Sequence, residues 1–212
     1  MKEREKKIAQ LLLQINAIKL SPANPFTWAS GWKSPIYCDN RKTLSYPEVR
    51  QAIRDEMCNI INEKYPNAEG IAGVATGAIA IGIMVAEKLG LPFIYIRSSA
   101  KGHGMGNQIE GEYSADKNYV VIEDLISTGG SSLKAVEALR DANCGVLGMV
   151  AIFTYGFQKA VDNFVADKVE LTTLSNYNVL LEHALETGYI ESDKLEILRE
   201  WRTGPDTWMQ DK

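Results

Sequence analysis

Short apolar runs alternate with longer segments of helical periodicity from residue 70 onward. The apolar runs predict strands buried on both faces, at 71–75, 93–96, 119–122, 146–153 and 169–173. Residues at helical spacing predict helices at 78–89, 131–142, 178–187 and 192–201. This alternation predicts an α/β fold, a doubly wound and mostly parallel sheet flanked by helices. Because ligands of such sheets bind at the carboxyl ends of the strands, functional residues are expected in the loops that follow them.

The N-terminal part of the chain has a different pattern. Apolar residues at helical spacing predict an amphipathic helix that carries Ile8, Leu11, Leu12, Ile15 and Ile18. The next segment, 21–41, is rich in Pro, Gly and aromatic residues, which predicts a folded loop with short strands.

A second amphipathic helix is predicted to begin near Pro47. Ser45 and Glu48 have the spacing of a capping box, and proline is tolerated in the first turn of a helix. One face of this helix is lined by Val49, Ile53, Met57 and Ile60.

Composition narrows the class of protein. Of the 212 residues 45% are apolar, and no repeat, low-complexity tract or linker divides them, so a single domain over 1–212 is expected. A chain of this size buries roughly 70% of its unfolded surface and needs no disulfide or metal to fold. The net charge of -4 gives no overall attraction to nucleic acid, and no nucleic-acid partner is predicted.

The cysteines and the longest apolar run indicate in which cellular compartment the protein is expected. Cys38, Cys58 and Cys144 are an odd set without C-x-x-C spacing, which favours a reducing compartment and no zinc site. No secretory leader is evident, and the longest weakly polar run, 71–86, is shorter than the roughly 20 residues of a membrane span. A cytoplasmic protein without a membrane partner is therefore expected.

The segment 119–132 carries the strongest chemical signal. Glu123 and Asp124 follow a predicted strand, and a loop of hydroxyl residues and glycines, 127–131, leads into a helix. Backbone N–H groups of such a loop and the positive end of the helix form a receptor for phosphate. The carboxylates would repel phosphate but suit the hydroxyls of a sugar that carries it. The alternative, two acids that only end a strand and cap the turn, leaves the adjacent loop unexplained.

This loop closely resembles the phosphoribosyl-pyrophosphate (PRPP) signature of type I phosphoribosyltransferases. Segments 26–41 and 96–111 are similar to orotate phosphoribosyltransferases within that family. The resemblance implies transfer of the 5-phosphoribosyl group from PRPP to orotate, which gives orotidine 5-monophosphate and pyrophosphate in de novo pyrimidine (UMP) biosynthesis. It also implies a small N-terminal hood, formed mainly by about 20–45, and a homodimer with shared active sites. Mg2+ is expected as cofactor, held mainly through the substrate rather than by protein ligands.

The resemblance assigns roles to individual residues. Lys101 and Asp124 are the expected catalytic residues: Lys101 would follow the leaving pyrophosphate, and Asp124 would hold the ribose diol. The expected PRPP contacts are Thr76, Gly77, Arg97, Lys101, His103, Glu123, Asp124, Leu125, Ile126, Ser127, Thr128, Gly129, Gly130 and Ser131. For Gly77, close helix packing is an alternative reason. Ser127 and Arg41, with the backbone of 34–41, are the candidates for binding orotate.

Three positions depart from the pattern of some relatives. Ala29 and Ser98 stand where those proteins carry lysine, and Tyr155 lies near a position that holds arginine. The contacts that those cations make cannot be carried over to this chain. Elsewhere, His183 is expected on the surface, and Trp201 and Trp208 are expected to pack in the core.

Three other functions remain open at this point. A phosphoribosyltransferase for a purine or for uracil would keep the 123–131 loop with a different hood. A PRPP-sensing regulator would bind the ligand without catalysis, although no basic recognition helix is visible. A Rossmann-like binding module without activity would leave the two acids unexplained.

Lys101→Ala should lower the turnover of PRPP and orotate by on the order of 100-fold, because a charge that stabilises the leaving group would be lost. Folding should be unaffected, since the residue lies in a polar, glycine-rich segment. Steady-state rates and thermal unfolding, with Lys117→Ala as the matched control, test this. An unchanged rate would remove Lys101 from the mechanism.

Overall fold

The computed structural model describes residues 2–28, 30–98 and 108–209. Its α-helices are α1 (Lys2–Gln14), α2 (Pro47–Lys64), α3 (Ile79–Leu89), α4 (Gly130–Asp141), α5 (Gln158–Ala166), α6 (Tyr177–Glu186) and α7 (Leu195–Thr203). Its strands are β1 (Ile18–Leu20), β2 (Phe26–Thr27), β3 (Lys33–Ser34), β4 (Ile36–Cys38), β5 (Gly70–Val74), β6 (Phe93–Ile96), β7 (Ile109–Glu110), β8 (Asn118–Ile126), β9 (Gly145–Thr154) and β10 (Leu171–Asn176). Short 3-10 helices cover Asn40–Ser45 and Ser192–Lys194.

Six strands form the main sheet, in the order β10-β9-β8-β5-β6-β7. All neighbours are parallel except β6 and β7, whose short antiparallel pairing was not predicted. Alternate residues of β8 enter two separate cores: Val120 and Ile122 pack on one side of the sheet, Tyr119 and Val121 on the other. The predicted α/β fold, a doubly wound and mostly parallel sheet flanked by helices, is confirmed.

Helices cover both faces of this sheet. Apolar residues of α1, α2, α3, α6 and α7 share one core with β8, and α4 and α5 supply the other through residues such as Leu133 and Phe164. All predicted helices and strands from residue 70 onward are present, with bounds shifted by a few residues. Strand β8 differs most, because it continues to Ile126 and so includes Glu123 and Asp124. The longer β9 runs beside it and pairs Leu125 with Phe153.

The first predicted helix is shorter than its apolar spacing suggests. It ends at Gln14, and Ile18 begins β1, which pairs with β4. Asn16 adopts φ +54°, a left-handed conformation that terminates helices, and the Ala17 amide donates to the Leu12 carbonyl at 2.9 Å. The prediction that Ile15 and Ile18 belong to the helix is therefore wrong.

The capping box predicted from Ser45 and Glu48 is also absent. Ser45 is the last residue of the 3-10 helix, and Tyr46 is the N-cap of α2 without a side-chain hydrogen bond. The 3-10 helix is capped at its start by Asp39, whose side chain accepts from the Arg41 amide. Tyr46 caps the end of this 3-10 helix and the start of α2, so the two helices are contiguous. Pro47 occupies the first helical turn as predicted.

The segment after α1 folds as two small antiparallel sheets, β1 with β4 and β2 with β3, in agreement with the predicted short strands. An aromatic cluster joins this region to the end of the chain. The ring of Trp28 lies 5.6 Å from that of Trp201 in α7 and 5.2 Å from that of Tyr155. Trp201 and Trp208 are buried, which confirms their predicted packing role.

His183 lies in the interior, and the prediction of a surface position is wrong. It belongs to α6 and is only 8% exposed, because α1 packs against this helix. Cys38, Cys58 and Cys144 are all free thiols. None of the helices in the described part of the chain is both long and apolar enough to cross a membrane.

Trp201→Ala should lower the free energy of unfolding by about 3–5 kcal/mol, because it removes the fully buried ring around which the aromatic cluster packs. Urea unfolding measures the change. Val165→Ala is the matched control: its side chain is exposed, so we expect a change within about 0.5 kcal/mol. Equal effects of the two substitutions would contradict the central position of Trp201.

Candidate functional site

The predicted site residues of the described segments come from four parts of the fold. They lie at the carboxyl ends of β5, β6 and β8 and in the turn after β4. In a parallel sheet these strand ends share one edge. Lys101 and His103 lie outside the described residues.

Glu123 is a buried carboxyl group with both oxygens engaged. Oε1 accepts from the Asp124 amide at 2.9 Å, and Oε2 accepts from the Ser132 hydroxyl in the first turns of α4 at 2.7 Å. Burial, and then the neighbouring Asp124 carboxylate, raise the pKa of Glu123 to about 8. Glu123 therefore ties the end of β8 to the start of α4 on both sides of the 127–131 loop.

Asp124 is half-buried and closely approached by the loop after β5. A Cβ placed on Gly77 would overlap its carboxylate group, so only glycine fits there without a shift. This contact explains Gly77 better than close helix packing does. Thr76 next to it is exposed, and the Ala75–Thr76 peptide bond is cis. The loop after β5 thus meets the carboxyl-terminal part of β8 at the Asp124 carboxylate.

The loop from Ser127 to Ser131 has the geometry of an anion receptor. Gly129 adopts φ +81° as the N-cap of α4, where a Cβ would also meet the Phe164 ring at 2.7 Å. Gly130 and Ser131 are exposed in the first turn of α4, where N–H groups lack helical partners and the helix dipole is positive. The arrangement can hold a phosphate at the surface.

Other hydrogen bonds fix the base of this loop. The Asn163 side chain in α5 donates to the Thr128 carbonyl at 2.9 Å. The Ile126 carbonyl accepts from the Thr154 hydroxyl at 3.2 Å, and the Ile126 side chain is fully buried. Leu125 is partly buried, so Leu125 and Ile126 support the loop from the core side.

The two arginines predicted for the site are each paired with an acid. The Arg97 Nη1 lies 3.3 Å from Glu110 Oε1, just beyond the end of β6. The Arg41 Nε lies 2.7 Å from Asp39 Oδ1, and its side chain is largely exposed. The Arg41 guanidinium holds the pKa of Asp39 below its usual value. The Arg41 pair is exposed and such pairs are weak, so Arg41 can exchange partners when an anion binds, whereas the Arg97–Glu110 pair is partly buried.

Two residues of the site were not anticipated from the sequence. Asn40, which is 3% exposed, donates through its side-chain amide to the Asp124 carbonyl at 2.6 Å. Ser132, fully enclosed in α4, holds Glu123. Ser132 directly follows the recognised loop, and a hydroxyl there was its only signal. For Asn40 no local pattern pointed to a partner 84 residues away.

The three positions that depart from the pattern of some relatives, Ala29, Ser98 and Tyr155, lie in different surroundings. Tyr155 is buried among aromatic rings, and burial raises the pKa of its phenol well above the usual value. Its ring therefore serves packing and offers no charge to a ligand. Ser98 is exposed, and Ala29 lies outside the described residues.

Comparisons with known proteins agree with this geometry. The family model described as phosphoribosyl transferase domain matches residues 43–183. The orotate phosphoribosyltransferase of Porphyromonas gingivalis is 59% identical over 208 residues, 98% of this chain and 99% of that protein. That of Phocaeicola vulgatus is 59% identical and covers 98% of each chain.

Among solved structures, the orotate phosphoribosyltransferase from Aeropyrum pernix superposes with a TM-score of 0.76 at 26% identity, covering 87% of this chain and 99% of that one. Leishmania donovani UMP synthase gives a TM-score of 0.77 at 24% identity. The match covers 93% of this chain and 42% of the UMP synthase, so this likeness concerns the fold.

Glu123→Gln should change how stability depends on pH. The pKa of Glu123 is about 8 in the folded protein against 4.5 for the free side chain, so its contribution to stability falls as pH rises between these values. Glutamine does not titrate. The free energy of unfolding of the variant should therefore rise relative to that of the parent as pH increases across this interval, by up to about 1.4 kcal/mol per pH unit.

Urea unfolding at a series of pH values measures this difference. Glu137→Gln, at an exposed position of α4, serves as the control and should follow the parent. Parallel stability curves for the parent and Glu123→Gln would contradict the raised pKa of Glu123.

Proposed function

The chain belongs to the orotate phosphoribosyltransferases of the phosphoribosyl transferase domain family, and from this membership we propose that it transfers the phosphoribosyl group of PRPP to orotate. The products are orotidine 5-monophosphate and pyrophosphate, a step of pyrimidine biosynthesis. One observation supports the proposal most: the Asp124 carboxylate lies beside Gly77 and is followed by the loop at the N-terminus of α4.

In the proposed reaction, N1 of orotate attacks C1 of the ribose while the bond from C1 to pyrophosphate breaks. Positive charge develops on the sugar as negative charge grows on the leaving group. Asp124 accepts hydrogen bonds from the ribose hydroxyls, and its negative charge favours the developing cation. Glu123 is the second acid for the diol in this proposal, and each of its oxygens accepts one hydrogen bond within the protein, from the Asp124 amide and from Ser132.

The phosphate groups are assigned to separate loops. The N–H groups and hydroxyls of Ser127 to Ser131 bind the 5-phosphate, away from the reacting carbon. Thr76 and Gly77 offer backbone groups to the pyrophosphate, and Arg97 turns to it from Glu110. Lys101 and His103 complete this cationic shell in our proposal, with Lys101 following the charge of the leaving group.

Orotate is assigned to the hood side of the site. Ser127 is the proposed contact for the base, and Arg41 is the proposed partner of the orotate carboxylate. Arg41 suits this role because it is exposed, and its pairing with Asp39 leaves guanidinium donors for a second anion.

We further propose that Mg2+ acts with PRPP, in a homodimer with shared active sites, in the reducing cytoplasm. Among residues 2–28, 30–98 and 108–209, no group of three or more His, Cys, Asp or Glu side chains is arranged to hold a metal ion. Mg2+ commonly keeps several waters and is bound through substrate phosphates with few protein ligands, which suits an ion held mainly through PRPP. The ion would neutralise charge on the pyrophosphate.

The function is tested by mixing the protein with PRPP, Mg2+ and orotate and following the loss of orotate absorbance. Parallel reactions contain adenine or uracil. The proposal is supported if orotate is consumed and adenine and uracil are not. If adenine or uracil is consumed and orotate is not, the base substrate is a different one. PRPP binding without turnover of any base would favour a sensor.

Asp124→Asn should lower kcat by on the order of 100-fold, because it removes the charge that opposes the developing cation. The Kd for PRPP, measured by calorimetry, should rise much less, since a neutral amide still meets the ribose hydroxyls. Asp116→Asn, at an exposed position before β8, is the matched control. Equal losses in kcat and in PRPP affinity would show that Asp124 only binds PRPP and does not stabilise the transition state.

A further inference from the structure

Asn40 connects the hood to the acid pair by one hydrogen bond. Its side-chain amide donates to the Asp124 backbone carbonyl at 2.6 Å, although the two residues are 84 positions apart. The ladder between β5 and β8 ends at Ile122, so Asp124 lies beyond the reach of β5. The Asn40 amide therefore satisfies a carbonyl that this neighbouring strand leaves unpaired.

Asn40 is itself held firmly on the hood side. Its Oδ1 accepts from the Cys38 thiol at 3.4 Å, and its backbone carbonyl accepts from the Thr43 hydroxyl at 2.6 Å. Asn40 and Thr43 are both almost completely buried. A side chain fixed at both ends can transmit position between the elements it joins.

The other contacts of Asp124 make its position consequential. Its amide donates to Glu123 and its carboxylate touches the Gly77 position, so a backbone shift would disturb both. The turn that carries Asn40 also carries Arg41 and follows β4 of the hood. Asn40 thus stands between the part of the chain assigned to the base and the carboxylate assigned to the sugar.

We propose that Asn40 is a positioning residue, which fixes the backbone of Asp124 against the hood and so aligns the ribose with the base. The inference rests on the proposed function, because the alignment matters only if sugar and base react here. The Asn40 side chain touches neither reactant in this account. Its effect on catalysis passes through Asp124.

The test is a double-mutant cycle of Asn40→Ala and Asp124→Asn in the full chain. Asn40→Ala alone should lower kcat at least about 10-fold, since small misplacements of catalytic groups are costly. The KM for PRPP should change less than about 3-fold. In the Asp124→Asn background, the same substitution should cost less than about 2-fold, because the group that it positions no longer carries charge.

Thr187→Val is the matched control, as it removes the hydrogen bond of a threonine hydroxyl to the His183 carbonyl at 2.8 Å, at the end of α6, without touching Asn40 or Asp124. It should leave kcat within about 2-fold of the parent. Asn40→Ser is measured in parallel in case Asn40→Ala does not fold. Thermal unfolding identifies such a loss, and loss of folding in both Asn40 variants would overturn the positioning role.

Two further results would overturn the inference. One is a kcat for Asn40→Ala close to that of the parent, and the other is an equal loss in both Asp124 backgrounds, which is typical of an independent structural effect. Failure of the proposed function would be recognised by a different result, because the parent protein would then not consume orotate at all.

Discussion

The carboxyl group of Glu123 holds together the turn on which the site depends. It is buried at the end of an inner strand, and it accepts hydrogen bonds from the next residue of that strand and from a helix that begins only after the loop. The intervening loop is therefore closed at its base by a polar contact, and Gly130 and Ser131 are left at the surface. A buried acid costs free energy unless its oxygens are satisfied, and here both are.

The same edge of the sheet receives two other parts of the chain. The loop after β5 comes so near to Asp124 that a side chain at Gly77 would force the Asp124 carboxylate to shift, and the 3-10 helix Asn40–Ser45 reaches the Asp124 carbonyl through Asn40. Within the segment between α1 and α2, Trp28 donates to the Ile36 carbonyl at 3.0 Å and packs against Trp201 of α7. Helix α7 thus supports this segment through the Trp201 ring.

The sequence was most informative where one physical effect dominates. Buried strands and amphipathic helices follow from apolar spacing, and the tight turn that leads into α4 follows from the glycines and hydroxyl residues before that helix. The end of β8 was misjudged because Glu123 and Asp124 look like a strand end, yet pairing with β9 continues past them. Likewise Asn16 ends α1, and the packing of α1 buries His183, through contacts that local periodicity does not contain. The partnership of Asn40 with Asp124 needed the whole fold, because Asn40 lies in a 3-10 helix near the N-terminus and Asp124 lies in β8 of the main sheet.

The central claim is that the turn after β8 binds a phosphorylated sugar, with Asp124 on its hydroxyls. A crystal structure of the protein with PRPP and Mg2+ tests this claim most directly. We expect the 5-phosphate to accept hydrogen bonds from the amides of the 127–131 loop, and the ribose diol to donate to Asp124. A sugar phosphate bound elsewhere, with this loop empty, would contradict the account.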